Sequence, residues 1–185
     1  MKRIKSIFLA ASLFIVSNAF AQMEKTVMVG GAAMYPSKNI VENAVNSKDH
    51  TTLVAAVKAA GLVETLSSAG PFTVFAPTNA AFDKLPAGTV TTLLKPEMKA
   101  NLTGVLTYHV VAGRINAKDL KKMIKAGKGK ATLKTVAGGN IYASMKGNNI
   151  MIWDESGRMA RITIKDVYQS NGVIHVIDQV LLPKK

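Results

Sequence analysis

The sequence predicts an α+β fold in one domain, and two observations on its rhythm predict it. Between Asn39 and Ala126 most apolar residues recur at helical spacing, whereas from Lys130 to Leu182 they alternate with period two. Helices thus cluster in the first half and strands in the second, which is not the alternation that a parallel α/β sheet needs. A third observation sets the means of stabilisation. The 185 residues contain no cysteine, so one hydrophobic core carries the fold, and thiolate zinc sites and cysteine nucleophiles are excluded.

The first 21 residues stand apart from that core. Lys2, Arg3 and Lys5 precede an apolar run from Ile7 to Val16, and Ala19-Phe20-Ala21 offers a small-x-small cleavage site before Gln22. This is the layout of a secretory signal peptide, too short to span a bilayer. The expected division is therefore 1–21 signal peptide, 22–38 extended leader and 39–185 folded domain, with cleavage between Ala21 and Gln22. No cysteine follows the cleavage site and no second apolar stretch is long enough to cross a membrane, so a secreted or periplasmic product is expected. The chain carries a formal charge of +13; loss of the three leading cations leaves 21 basic residues against 11 acidic ones, a net of +10.

Within the domain, Asn39 to Asn46 places Ile40, Val41, Ala44 and Val45 on one helical face. Asp49 is suited to cap a second helix, in which Leu53, Val54, Val57 and Ala60 line up before Gly61 closes it. The stretch from Gly70 to Pro86 is the most sharply patterned. Phe72, Val74 and Ala76 alternate with Thr73 and Phe75, Pro77 stops the strand, Thr78 caps a short helix, and Phe82 and Leu85 share one side of it. Thr89 to Leu94 is another helical turn, and a longer helix starts at Pro96 and runs to about Leu106. Tyr108 to Ala112 reads as a strand and Ala117 to Ala126 as a lysine-rich helix, with Leu120, Met123 and Ile124 inward. Strands follow at Ala131 to Thr135, Ile141 to Met145, Ile150 to Trp153 and Ala160 to Ile164, with a hairpin signal at Gly147-Asn148-Asn149. Val173 to Leu182 closes the chain.

Three of these stretches carry a resemblance. Residues 70–86, the run Leu106-Thr107-Tyr108-His109-Val110-Val111 and the run from Asn171 to Pro183 resemble, in order, the opening, Tyr-His and closing motifs of the fasciclin (FAS1, beta-Ig-H3) domain family. Together they span nearly the whole domain, and the chain resembles small bacterial secreted proteins with one such domain. The resemblance implies a wedge-shaped two-sheet β-sandwich flanked by several short α-helices. It also implies a non-enzymatic protein that mediates adhesion to a cell surface or extracellular matrix. Through the family, Tyr108 and His109 become adhesion-motif candidates, because the Tyr-His region of animal relatives is linked to integrin binding. Read from the residues alone, they satisfy hydrogen bonds at a sheet-to-helix junction.

No catalytic, metal-binding or cofactor-binding residue is expected. His50, His109 and His175 lack metal-ligand spacing, no nucleophile elbow occurs, and an offset of three on a strand sends His175 and Asp178 to opposite faces. The promising surface is cationic. Lys118, Lys121, Lys122, Lys125, Lys128, Lys130 and Lys134 fall within seventeen residues, opposed by Asp119, and the first four form one helical stripe. Such a patch suits a polyanion, either acidic polysaccharide or lipid headgroups. Nucleic acid is not expected, since the chain is exported and the stripe lacks interleaved aromatics. The expected partner is a cell-surface or matrix protein or an acidic glycan, and oligomeric state is left open.

Overall fold

A computed structural model describes residues 25–184. The expected signal peptide and the expected cleavage point between Ala21 and Gln22 lie outside the described residues. Nine strands and seven α-helices occur among those described, and seven of the strands form the frame.

These seven are β3 (Phe72–Pro77), β4 (Val110–Ala112), β5 (Ala131–Lys134), β6 (Asn140–Lys146), β7 (Asn149–Trp153), β8 (Met159–Gln169) and β9 (Gly172–Ile177). Their order across the sheet is β4-β3-β9-β8-β7-β6-β5, antiparallel except for the parallel pair β3–β9. The two layers of the sandwich are continuous through β8. Its first residues pair with β7 and the remainder with β9, with register shifts around Ile164 that bend the strand between the layers. At the other side, a bridge between Val111 and Thr135 and the bond from Val136 N to Val110 O at 2.8 Å bring the two edge strands together. The result is a wedge open towards its helices.

Two main cores follow from this bend. Inside the wedge, Phe75, Ile141, Ile152, Ile177 and Leu181 pack with Leu120 and Ile124 of α7 (Ala117–Ala126). On the other face of β3 and β9, Val74, Val176 and Ile174 meet α1 (Ile40–Ala44), α2 (Thr51–Ala60), α3 (Val63–Ser67) and α6 (Lys99–Tyr108). Strand β3 is therefore buried on both sides, as its uninterrupted run of hydrophobic and small residues anticipates. A smaller cluster gathers Ala81 and Phe82 of α4 (Asn79–Phe82) with Leu85 and Val180. Helix α5 (Thr89–Leu93) completes the set.

Several local expectations change. Residues 27–34, within the expected extended leader, form an antiparallel hairpin of β1 (Val27–Val29) and β2 (Ala32–Met34), with Val29 and Met34 buried in the helical core. Asn43 pins it by accepting from Tyr35 N at 3.0 Å and donating to Tyr35 O at 2.8 Å. That polar residue takes the inward place expected for Val45, which is 48% exposed. Asp49 caps nothing: it lies in a 3-10 turn, and the free amide of Thr52 is met instead by Asn79 Oδ1 at 3.0 Å. Thr78 does cap α4, accepting from Ala81 N, and Gly61 ends α2 in the left-handed conformation at φ 72°. Met123 is 37% exposed rather than inward. The closing strand stops at Ile177, short of Leu182.

Candidate functional site

Tyr108 is the last residue of α6 and His109 its C-cap, so neither opens the strand as the alternation had indicated. Their exposures are 0% and 3%. The Tyr108 hydroxyl donates to Asn140 O at 2.6 Å and accepts from Glu155 N at 3.3 Å, and burial pushes its pKa up to about 12. His109 Nε2 accepts from Leu181 N at 3.0 Å, which assigns the ring proton to Nδ1, donating to Val105 O at 2.8 Å. Burial lowers its pKa to about 4, so the ring is neutral. Both side chains fasten α6 to distant segments, and neither presents surface to a partner.

The other histidines are enclosed as well. His175 accepts from Asp166 N at 3.3 Å through Nδ1, donates through Nε2 to Ile115 O at 2.9 Å and stacks on Phe75 at 5.7 Å. Burial lowers its pKa. Asp178 takes no part in this, since its carboxylate accepts from Arg161 N at 2.8 Å. His50 is buried beside Ser47. Among the described residues no group of three or more His, Asp or Glu comes together that could hold a metal ion.

The cations lie on the surface, but on two different faces. Asn116 caps α7, accepting from Asp119 N at 2.9 Å, and Leu120 and Ile124 turn its apolar side inward. Lys118, Lys122 and Lys125 are exposed on the opposite side, with Lys121 half-buried at its margin. Lys122 has Asp119 at 3.8 Å, a solvated pair of little energetic weight.

Beyond the helix the chain reverses abruptly. Gly129 N bonds to Ile124 O at 2.8 Å and Lys130 N to Gly127 O at 3.2 Å. A side chain at Gly127 would collide with Lys130 O, its Cβ falling 1.9 Å away, so glycine is required there. Lys128 takes φ 54° in the same reversal. The turn delivers Lys130 to the outer face of the sheet, where its Nζ stands 3.8 Å from the Tyr142 ring centre and 5.9 Å from that of Trp153. The two rings are 5.9 Å apart, side by side on paired strands in direct register.

The outer face of β5 to β8 is thus a half-buried aromatic pair bordered by exposed Lys130 and Lys134. Sequence reasoning found the lysines and missed Tyr142 and Trp153. The signal was present: a two-residue hairpin turn at Gly147-Asn148 pairs Lys146 with Asn149, and the same register pairs Tyr142 with Trp153.

A family model for the fasciclin domain matches residues 48–183. The Synechocystis sp. protein called Protein sll1483 is 47% identical over 168 residues, covering 89% of this chain and 86% of its own. A cell surface glycolipoprotein, MPB83 of Mycobacterium bovis, is 33% identical over 160 residues, covering 84% and 64%. Among solved structures, a FAS1 domain pair from the insect cell adhesion molecule fasciclin I superposes with a TM-score of 0.70 at 17% identity, over 85% of this chain and 58% of that one. At that identity the match is one of fold. No helix among the described residues is long and apolar enough to cross a membrane.

Proposed function

The chain belongs to the fasciclin domain family, and from that premise we propose that it is an exported, non-enzymatic protein that adheres to a cell-surface or matrix component. The chemistry we assign to that component is an acidic glycan. The relative that supports the general role is the mycobacterial cell surface glycolipoprotein. Export rests on the charge and hydropathy pattern of residues 1–21.

The observation that carries the ligand class is Lys130 held over Tyr142 and Trp153. A sugar ring stacks its apolar side on the half-buried Trp153, while a carboxylate or sulfate on the same sugar meets the Lys130 ammonium that covers the neighbouring Tyr142 ring. The lysine is already placed by the cation–π contact, so little side-chain freedom is lost on binding. Purified protein is expected to be retained at physiological salt on an immobilised sulfated or uronate-rich glycan and not on a neutral one. Equal retention on both, or on neither, contradicts the reading.

A second reading places polyanion binding on the α7 stripe of Lys118, Lys121, Lys122 and Lys125. Its support is the solvated position of these cations on one side of α7. It requires charge alone, so it predicts no preference between an acidic glycan and acidic lipid headgroups of equal charge.

A further inference from the structure

A cavity of about 60 Å³ lies on the opposite side of the molecule from α7, between the β1–β2 hairpin, helices α1 to α3 and the face of β3 and β9 that they cover. Its wall is almost wholly apolar, with Leu53, Val54 and Ala76 contributing. Two imidazole rings stand in that wall, His50 and His109, and both nitrogens of His109 are already taken by Val105 O and Leu181 N. His50 is 3% exposed and its Nδ1 pairs with Ser47 Oγ at 2.8 Å, whereas Nε2 has no hydrogen-bond partner among the described residues. Burial lowers the pKa of the His50 ring, opposed by the neighbouring Ala76 backbone and the charge of Asp49. Native interiors leave few buried polar atoms unpaired, and each one calls for an explanation. Lys58, exposed on α2, marks the mouth.

We propose that this cavity binds an aliphatic alcohol, a single apolar chain whose hydroxyl bonds to His50 Nε2. The wall selects an apolar body, since it offers a cluster of waters almost no partners. The volume selects a slender one: at roughly 10–15 Å³ for each water-sized group, about four or five such groups fit, and the rest of a chain passes outward along the stem of Lys58. The lone nitrogen selects the head. A hydroxyl both donates and accepts, so it satisfies Nε2 in either tautomer of the ring. A carboxylate only accepts and would bring a charge against an apolar wall beside a neutral imidazole. The site is separate from the cationic aromatic face, so it stands or falls independently of glycan binding.

The test is a titration of the whole protein with 1-octanol, read by thermal melting and by the ring nitrogen resonances of His50. Saturable binding is expected to raise Tm by roughly 5–10 °C at a hundredfold excess over Kd, and to shift the Nε2 resonance. Val54→Phe, which fills the wall, is expected to abolish both effects. His50→Phe is expected to keep the fold and weaken octanol binding about five- to tenfold, the size of one lost hydrogen bond. Absence of a saturable response up to the solubility limit overturns the proposal. So does a Tm shift of equal size in Val54→Phe, or an unchanged affinity in His50→Phe.

Discussion

His109 Nε2 accepts the backbone N–H of Leu181 at 3.0 Å, so the ring that caps α6 also holds the closing segment of the chain. The bond exists only while the imidazole is neutral, and burial keeps it so by lowering the pKa to about 4. In the unfolded chain the same ring takes a proton near pH 6.5. Between these values the unfolded state binds more protons, so stability is complete above about pH 6.5 and falls as the pH drops towards 4. The loss from this residue is about 3 kcal/mol. His50 and His175, whose pKa values burial also lowers, act with the same sign. Urea unfolding between pH 7.5 and 4.5 is expected to show the decline, and His109→Gln to flatten it. A ring at position 109 that titrates near 6.5 in the folded protein contradicts this assignment.

Tyr108→Phe removes one donor and one acceptor at the junction of α6 with the β6 and β7 ends, leaving Asn140 O and Glu155 N short of a partner. The expected cost is about 1–2 kcal/mol in chemical denaturation. Glycan retention is expected to be unchanged, because the residue has no exposed surface. Loss of binding in a fully folded variant would restore the adhesion-motif role to this position.

Asn171 serves three segments at once. Its Oδ1 accepts from Ile40 N at 3.0 Å, and its Nδ2 donates to Leu66 O and Ser68 O, both at 2.8 Å. Asn171→Ala orphans the start of α1 and the end of α3 together, with an expected loss of about 3 kcal/mol. A change below about 1 kcal/mol in urea unfolding would show that water replaces these bonds easily.

How much of this was legible in the sequence depended on range. The bounds of helix α7 are legible because the spacing of Leu120 and Ile124 among lysines is local. The β6–β7 hairpin was equally plain from Gly147-Asn148. Asp49 misled because its chain position suits a cap, while the true partner, Asn79, lies 27 residues from the amide it serves. Tyr108 and His109 looked like strand residues because Val110 and Val111 follow them, yet the helical hydrogen bonds run on through Tyr108. The β1–β2 hairpin escaped because three-residue strands carry almost no periodicity and owe their order to the core beneath. The parallel pairing of β3 with β9 joins residues about a hundred apart, and no local pattern announces it. The lysines of the candidate face were visible as a cluster, whereas its aromatic half required register.

Replacement of Lys118, Lys121, Lys122 and Lys125 by Gln separates the two basic faces. Stability is expected to stay within about 0.5 kcal/mol, since these are surface sites. Affinity for an acidic glycan is expected to fall only a few-fold, with a shallower salt dependence, as for charges at the rim of an interface. Complete loss of binding would move the site to α7.

Glycan binding at the sheet face turns on Trp153 beside Tyr142 and Lys130. Its most direct test is the dissociation constant for a defined uronate or sulfated oligosaccharide, measured by calorimetry for the parent protein and for Trp153→Leu, with circular dichroism to confirm the fold. An aromatic contact of roughly 1.4 kcal/mol makes binding by the variant about tenfold weaker, and that is the predicted result. An unchanged constant in a folded Trp153→Leu would contradict the assignment of the sheet face as the glycan site.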